Sequence, residues 1–152
     1  PFNHFALDKN QIIVYIHNIK SITMKNKINI IDLGSRLVVI GILAYSAFLK
    51  LSSNPSAVHI FERINMEPIG RYAVAVLEVI AVILLAFHKT AWRGATLALV
   101  LMLGAIGMHI ITNEFDVLGD KGLMFASAVV VLFCSIGVLI NQADMEAQYA
   151  ED

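Results

Sequence analysis

The chain has 152 residues, of which 58% are hydrophobic and 15% charged, and its mean hydropathy is +0.73. A composition this apolar excludes an ordinary soluble domain, and the length suggests a single domain. The formal net charge of −1 provides no bulk attraction to nucleic acid. Cys134 is the single cysteine, so no intrachain disulfide can form, and the sequence has no Cys/His spacing typical of a metal site.

Residues 1–27 are predicted to be an amino-terminal extension. The stretch from Pro1 to Thr23 has no clear helical pattern, and it lacks the basic region, apolar region and cleavage site of a signal peptide. Met24 precedes the basic segment KNK, which is typical of a cytoplasmic lead into a membrane span. Met24 is therefore a candidate for the natural start.

Four long apolar runs follow, at 28–51, 69–87, 91–112 and 122–140. Each has about twenty residues, which as an α-helix span about 30 Å, the thickness of the hydrocarbon core of a bilayer. A backbone in lipid must satisfy its own hydrogen bonds, so these runs are predicted to be helices. We therefore predict an all-α integral membrane four-helix bundle over 28–142, followed by an acidic tail over 143–152.

The connection between the first two spans, residues 52–68, has a pattern of its own. Pro55 is suited to the first turn of a helix, and Val58, Phe61 and Ile64 recur at a spacing of three. We predict a short interfacial helix that covers the end of the bundle holding Lys50 and Arg71. A solvated loop is the alternative.

The distribution of basic residues predicts orientation. One face of the membrane carries Lys20, Lys25, Lys27, Lys89 and Arg93, and the other carries Lys50, Arg63, Arg71 and Lys121. The excess near the amino terminus predicts that both termini lie in the cytoplasm, in the inner membrane of a bacterium. Trp92 and Arg93, at the start of the third span, are typical of interfacial anchors.

The ionisable residues of the spans include Arg36, Lys50, Arg71, Glu78 and His109. Charges in the membrane are costly, so we predict that these residues form a buried polar cluster. Glu78 is expected to face the bundle interior and to pair with Arg36 first and Lys50 second. Three simpler interpretations stay open: Lys50 and Arg71 extend to the headgroups, His109 ends a helix, and Asp32 pairs with Arg36 at i, i+4. Gly34, Gly41, Gly104 and Gly107 are interpreted as sites of close helix packing.

The segment RLVVIGILAYSAFLKL resembles the first-span signature of DoxX-like membrane proteins, with its arginine and lysine matched by Arg36 and Lys50. The glutamate of the family's second span is matched by Glu78, and the arginine that opens its third span by Arg93. The resemblance covers about residues 30–140 and implies a four-helix integral membrane protein. For some relatives it implies membrane redox work, including quinone-coupled oxidation of sulfur compounds.

Three functions remain open. The first is an accessory subunit of a membrane redox system, in which Glu78 and His109 are the candidate catalytic residues and deliver protons to a quinone. No motif for haem, flavin or an iron–sulfur cluster is evident, so electrons would come from a membrane or peripheral partner protein. The second is a non-catalytic assembly or stabilising protein, and the third is a small proton-coupled transporter. The sequence leaves open whether the protein is an enzyme and whether it forms homo-oligomers.

Overall fold

The computed structural model describes the backbone of residues 8–150 and the side chains of residues 8–16, 19 and 30–144. The helices are α1 (Lys9–Leu51), α2 (Pro55–Arg63), α3 (Ile69–Ala86), α4 (Ala91–Thr112) and α5 (Leu123–Ala150), with a 3-10 turn at His88–Thr90. Within this described range there is no strand. The prediction of an all-α fold is confirmed.

Four helical segments are long and apolar enough to cross a membrane: Ile30–Leu51, Ile69–Ala86, His88–Thr112 and Leu123–Asp144. The prediction of four spans is therefore confirmed, with boundaries that differ from the predicted ones by a few residues. Segments of 18 to 25 residues match the hydrocarbon thickness at 1.5 Å of rise per residue. The protein is an integral membrane protein.

The helix that carries the first span begins at Lys9, within the stretch that showed no clear helical pattern in the sequence. No glycine or proline occurs between Lys9 and Gly34, so nothing in the chain interrupts the helix. The chain forms two compact units, Pro1–Ile31 and Asp32–Asp152. In the first unit the described side chains of residues 12–16 are exposed. The second unit holds the core and the candidate site.

The core of the second unit is built from large aliphatic and small side chains of all four spans. α4 packs against both α3 and α5, and small residues at these contacts let the helix backbones approach closely. The buried set is Val39, Leu43, Ala81, Leu85, Ala95, Ala98, Met102, Ala128, Val131 and Val138.

The glycines that allow close helix packing are not the predicted ones. A Cβ atom built on Gly34, Gly41, Gly104 or Gly107 would meet no atom of the described chain within 4 Å. At Gly94 a Cβ atom would lie 2.7 Å from the Leu85 nitrogen and 3.0 Å from the Ala81 carbonyl oxygen. The close approach of α3 and α4 therefore depends on Gly94.

We expect Gly94→Ala to destabilise the protein by about 1–3 kcal/mol, because the added methyl group meets backbone atoms that cannot move aside. Gly107→Ala, on the same helix and with open space around it, should be neutral or stabilise the helix by up to about 1 kcal/mol. Thermal unfolding of the two purified variants in one detergent measures the difference. Equal melting temperatures would contradict this account of the contact between α3 and α4.

The connection between the first two spans contains the predicted helix. Asn54 precedes it and accepts a hydrogen bond from the Ser56 nitrogen, and Pro55 occupies the first turn. The buried residues are Ala57, Ile60 and Phe61, so Phe61 lies on the packed face as predicted, whereas Val58 and Ile64 are half-buried. The small Ala57 is buried beside the larger Ile60 and Phe61 at i+3 and i+4, and that spacing defines the packed face.

Candidate functional site

A cavity of about 1040 Å³ lies inside the second unit. All four spans contribute to its wall, and α2 covers it through Ala57, Ile60 and Phe61. Most lining residues are apolar, as is usual for a site that binds an organic molecule. The polar or ionisable lining residues are Tyr45, Ser46, Lys50, Asn54, Ser56, Glu78, His109, Asp120 and Ser127.

Glu78 forms an ion pair with Lys50 at this wall. The Lys50 ammonium nitrogen lies 2.9 Å from Oε1 and 3.2 Å from Oε2 of Glu78, and Ser46 Oγ donates to Oε1 over 2.9 Å. Lys50 also donates to Ser46 Oγ over 2.6 Å. Glu78 is 1% exposed and Lys50 8% exposed, so the pair is removed from both lipid and bulk water. Glu78 faces the interior as predicted.

The prediction that Arg36 would be the first partner of Glu78 is wrong. Arg36 Nε donates to the carbonyl oxygen of Leu85 over 3.0 Å, and Nη1 lies 3.6 Å from Oδ2 of Asp32. Leu85 is seven residues beyond Glu78, about 10.5 Å farther along α3. Arg36 therefore lies too far along the bundle axis to reach Glu78. It bonds instead to the Leu85 carbonyl, which lies in the last turn of α3, where carbonyls lack an intrahelical donor.

Arg71 lies beside the ion pair of Lys50 and Glu78 but does not line the cavity. Its guanidinium binds both carboxylate oxygens of Glu67, at 2.8 and 2.9 Å, and donates to the backbone carbonyl of Lys50. Arg71 thus connects the end of α1 to the start of α3. Lys50 and Arg71 are both buried, so the alternative in which they extend to the headgroups is wrong.

His109 lines the cavity on α4 and is 3% exposed. Its Nδ1 donates to the carbonyl oxygen of Glu114 over 2.7 Å, and its ring meets Phe125 edge-on, with 5.6 Å between centroids. The predicted cluster therefore divides. Lys50, Glu78 and His109 share the cavity, Arg71 supports Lys50 from outside it, and Arg36 belongs to a separate buried group with Asp32.

The loop between α4 and α5 bonds to α2 through Glu114. Arg63 donates to Oε1 of Glu114 over 2.6 Å, and His59 Nε2 lies 3.0 Å from Oε2. The hydrogen bond from Arg63 holds the pKa of Glu114 below its ordinary value, with its charge and that of His59 adding to the effect. The helix that covers the cavity is therefore connected to the same loop residue whose carbonyl holds His109.

Asp120 orders the other end of this loop. Burial alone would raise the pKa of its carboxyl group, but hydrogen bonds from the backbone nitrogens of Met124, Val117 and Gly122 outweigh burial, and the pKa is lowered. Asp120 is therefore a carboxylate that starts α5 and lies at the cavity wall.

Sequence reasoning missed Ser46, Glu114 and Asp120. Ser46 precedes Lys50 by one helical turn, a spacing that places the two side chains on one face and that could have indicated their contact. Glu114 and Asp120 lie in a loop, where no periodicity indicates which side chains turn inward. Trp92 and Arg93 are exposed at the start of α4, with 5.2 Å from the guanidinium carbon to the indole ring, and their role as interfacial anchors stays a prediction.

The match to a known family covers most of the residues that build this site. A family model described as methylamine utilisation protein MauE matches residues 28–118, which is more than half of the chain and includes Lys50, Glu78, His109 and Glu114. No curated protein and no solved structure matches the chain. The matching model is that of a small membrane family, as the sequence predicted, and it does not specify the DoxX-like family. The chain belongs to the family described as methylamine utilisation protein MauE.

Proposed function

We propose that this protein is an accessory subunit of a membrane redox system and that its cavity binds a quinone. The observation that carries the proposal is the cavity itself, which combines apolar walls with the ionisable side chains Lys50, Glu78 and His109. Its volume of about 1040 Å³ is at the upper end of that of organic-ligand sites. An apolar site with few polar groups suits a quinone, which has a lipid-soluble tail and two carbonyl oxygens.

The family name supports the redox part of the proposal. A protein family described by methylamine utilisation fits a redox system, because the use of a fully reduced one-carbon amine as fuel is an oxidation. Reduction of a quinone consumes two electrons and two protons. Glu78 and His109 line the cavity and are chemically able to donate and accept protons. The electrons would come from a partner protein, because the single Cys134 cannot form a dithiol.

A second candidate is a non-catalytic assembly or stabilising protein. It is favoured by the complete bonding of the ion pair, in which Ser46 and Glu78 together accept hydrogen bonds from Lys50. A pair bonded in this way can hold α1 against α3 without any ligand. The two candidates differ in whether the cavity is occupied in the native membrane.

The membrane and the finer family relation also belong to the proposal. We place the protein in a bacterial cytoplasmic membrane with both termini in the cytoplasm, on the basis of the basic residues near the amino terminus. A relation to DoxX-like proteins rests on the positions of Arg36, Lys50, Glu78 and Arg93.

Mass spectrometry of protein purified in a mild detergent tests the proposal, because it reports bound quinones and partner chains together. We expect a copurified quinone. We also expect Gly41→Leu and Gly104→Leu to reduce quinone binding at least about tenfold, since both glycines line the cavity and a Cβ atom at either position has open space around it.

Gly34→Leu is the matched control, because Gly34 is on the same helix as Gly41, has open space around it and does not line the cavity. It should keep the bound quinone. A wild-type protein that carries no quinone and does not bind added decylubiquinone would refute the proposal. A stable membrane partner on such ligand-free protein would support the assembly role instead.

A further inference from the structure

We infer that the cavity binds the reduced, dihydroxy form of its ligand more tightly than the oxidised, dicarbonyl form. This inference rests on the proposed function. It follows from the hydrogen bonds of the two buried residues that the sequence and the cavity both single out, Glu78 and His109. Their unshared lone pairs, on His109 Nε2 and Glu78 Oε2, can accept hydrogen bonds from a ligand. The nearest buried donors, Lys50 and Ser46, already donate to other groups.

The hydrogen bond of His109 determines which ring nitrogen a ligand meets. The carbonyl oxygen of Glu114 only accepts hydrogen bonds, so the Nδ1 atom that contacts it at 2.7 Å must carry the hydrogen. In the neutral ring Nε2 is then unprotonated and has a free lone pair. Across the part of the chain whose side chains are described, no group bonds to this atom. Since His109 lines the cavity, Nε2 is an acceptor available to a ligand.

The donors of the ion pair are already engaged. A lysine ammonium has three hydrogens, and Lys50 has three acceptors within reach, namely Ser46 Oγ and the two oxygens of Glu78. The Ser46 hydroxyl donates to Glu78 Oε1. Among the described residues, Lys50 is the one donor to Oε2 of Glu78, at 3.2 Å, so this oxygen retains acceptor capacity. A molecule that approaches this wall of the cavity therefore meets lone pairs.

The other polar side chains of the cavity wall do not change this preference for a ligand that donates hydrogen bonds. Asp120 is a carboxylate, and Ser127 donates to the backbone carbonyl of Met124. The remaining donors are the Asn54 amide, beside the first turn of α2, and the Ser56 and Tyr45 hydroxyls, which can accept as well. The buried titratable groups of the wall thus favour a ligand that donates.

A quinol donates through its hydroxyl hydrogens, whereas a quinone carbonyl only accepts. A bound quinone offers no hydrogen to His109 Nε2, and a site built to accept from a hydroxyl rejects an analogue that lacks one. We expect a preference of about tenfold for the quinol, the effect of one such hydrogen bond. For a two-electron couple a tenfold preference raises the midpoint potential of the bound ligand by about 30 mV. The bound quinone would therefore be easier to reduce than the free quinone.

The test compares the dissociation constants of decylubiquinol and decylubiquinone for the purified full chain. Titration calorimetry under argon measures both. His109→Leu should bring the ratio of the two dissociation constants close to one, because it removes the Nε2 acceptor; it also removes the bond to the Glu114 carbonyl, so the ratio and not either constant alone is the readout. His109→Gln, whose amide oxygen can accept, should retain part of the preference.

Glu78→Gln provides a second readout that does not depend on His109. It keeps the shape of the side chain and replaces an acceptor with an N–H donor, so it should narrow the ratio of the two dissociation constants. If the wild-type protein binds the quinone as tightly as the quinol, or if His109→Leu keeps the full ratio, the inference is overturned while the quinone site stands. If neither form binds, the proposed function itself fails.

Discussion

Lys50→Met is expected to lower the free energy of unfolding by about 3–5 kcal/mol, because it leaves the carboxylate of Glu78 buried without a cation. Glu78 is 1% exposed, and within the described residues its remaining partner would be the Ser46 hydroxyl. Glu78→Met should cost a similar amount, since it leaves the Lys50 ammonium unpaired. Methionine approximates the length and helix propensity of both residues, so the change isolates the charge.

The double variant Lys50→Met/Glu78→Met should recover most of that loss. Replacing both members of a buried ion pair with apolar residues of similar size is often nearly neutral, because no unpaired charge remains. A double-mutant cycle of unfolding in one detergent, followed by heating or by titration with a denaturing detergent, measures the coupling. Glu78→Met combined with Arg36→Met is the control. These two losses should add, because Arg36 bonds to Leu85 and Asp32 and not to Glu78. Additive losses for the Lys50 and Glu78 variants would contradict the pair.

Arg36→Met is expected to cost about 3–5 kcal/mol, for a different reason from the Lys50 variant. Arg36 is the cation of the separate buried group, and its loss leaves Asp32 charged at 3% exposure. No described residue donates a hydrogen bond to Oδ1 of Asp32, so the guanidinium of Arg36 supplies the stabilisation of this buried carboxylate. The same change also removes the donors that satisfy the Leu85 carbonyl.

Asp32→Asn should cost less than half as much as Arg36→Met. The guanidinium that remains keeps its bonds to the Leu85 carbonyl at the end of α3, where the helix dipole is negative and stabilises a cation. Melting temperatures of the two single variants, measured side by side, test this asymmetry. Equal losses would show that the ion pair with Asp32 contributes as much as the bond to the carbonyl.

The site itself was predictable only to the level of its residue types. The rule that a membrane interior tolerates a charge only with a partner singled out Arg36, Lys50, Arg71, Glu78 and His109, and the structure buries these five together with Asp32. Their pairing could not be read in the same way. Arg36 and Lys50 lie on the same face of α1, but their positions along the helix axis are about 21 Å apart. Which of them meets Glu78 depends on how far α3 is displaced along α1.

That displacement is a property of packing. It is decided where small residues let backbones meet, as at Gly94 against Leu85, and by bonds such as that of Arg71 to the Lys50 carbonyl. One helical turn corresponds to about 5.4 Å, which is less than the uncertainty of a span boundary read from hydropathy. Ser46, Glu114 and Asp120 were missed for the same reason, because a side chain enters a site only when another element faces it.

The sequence by itself determined that the chain lies in a membrane, and it determined the class of fold and the number of spans. Length and apolarity sufficed for this, because a chain in hydrocarbon has almost no alternative to the self-bonded helix. It also indicated the helix between the first two spans, through a proline and an apolar spacing. Only the tertiary structure decided that Lys50 and not Arg36 neutralises Glu78, that the cluster divides into two groups, and that His109 shares a cavity with the pair. Those outcomes depend on distances of a few ångströms between helices, over which hydrogen bonds form or fail and to which a one-dimensional pattern is insensitive.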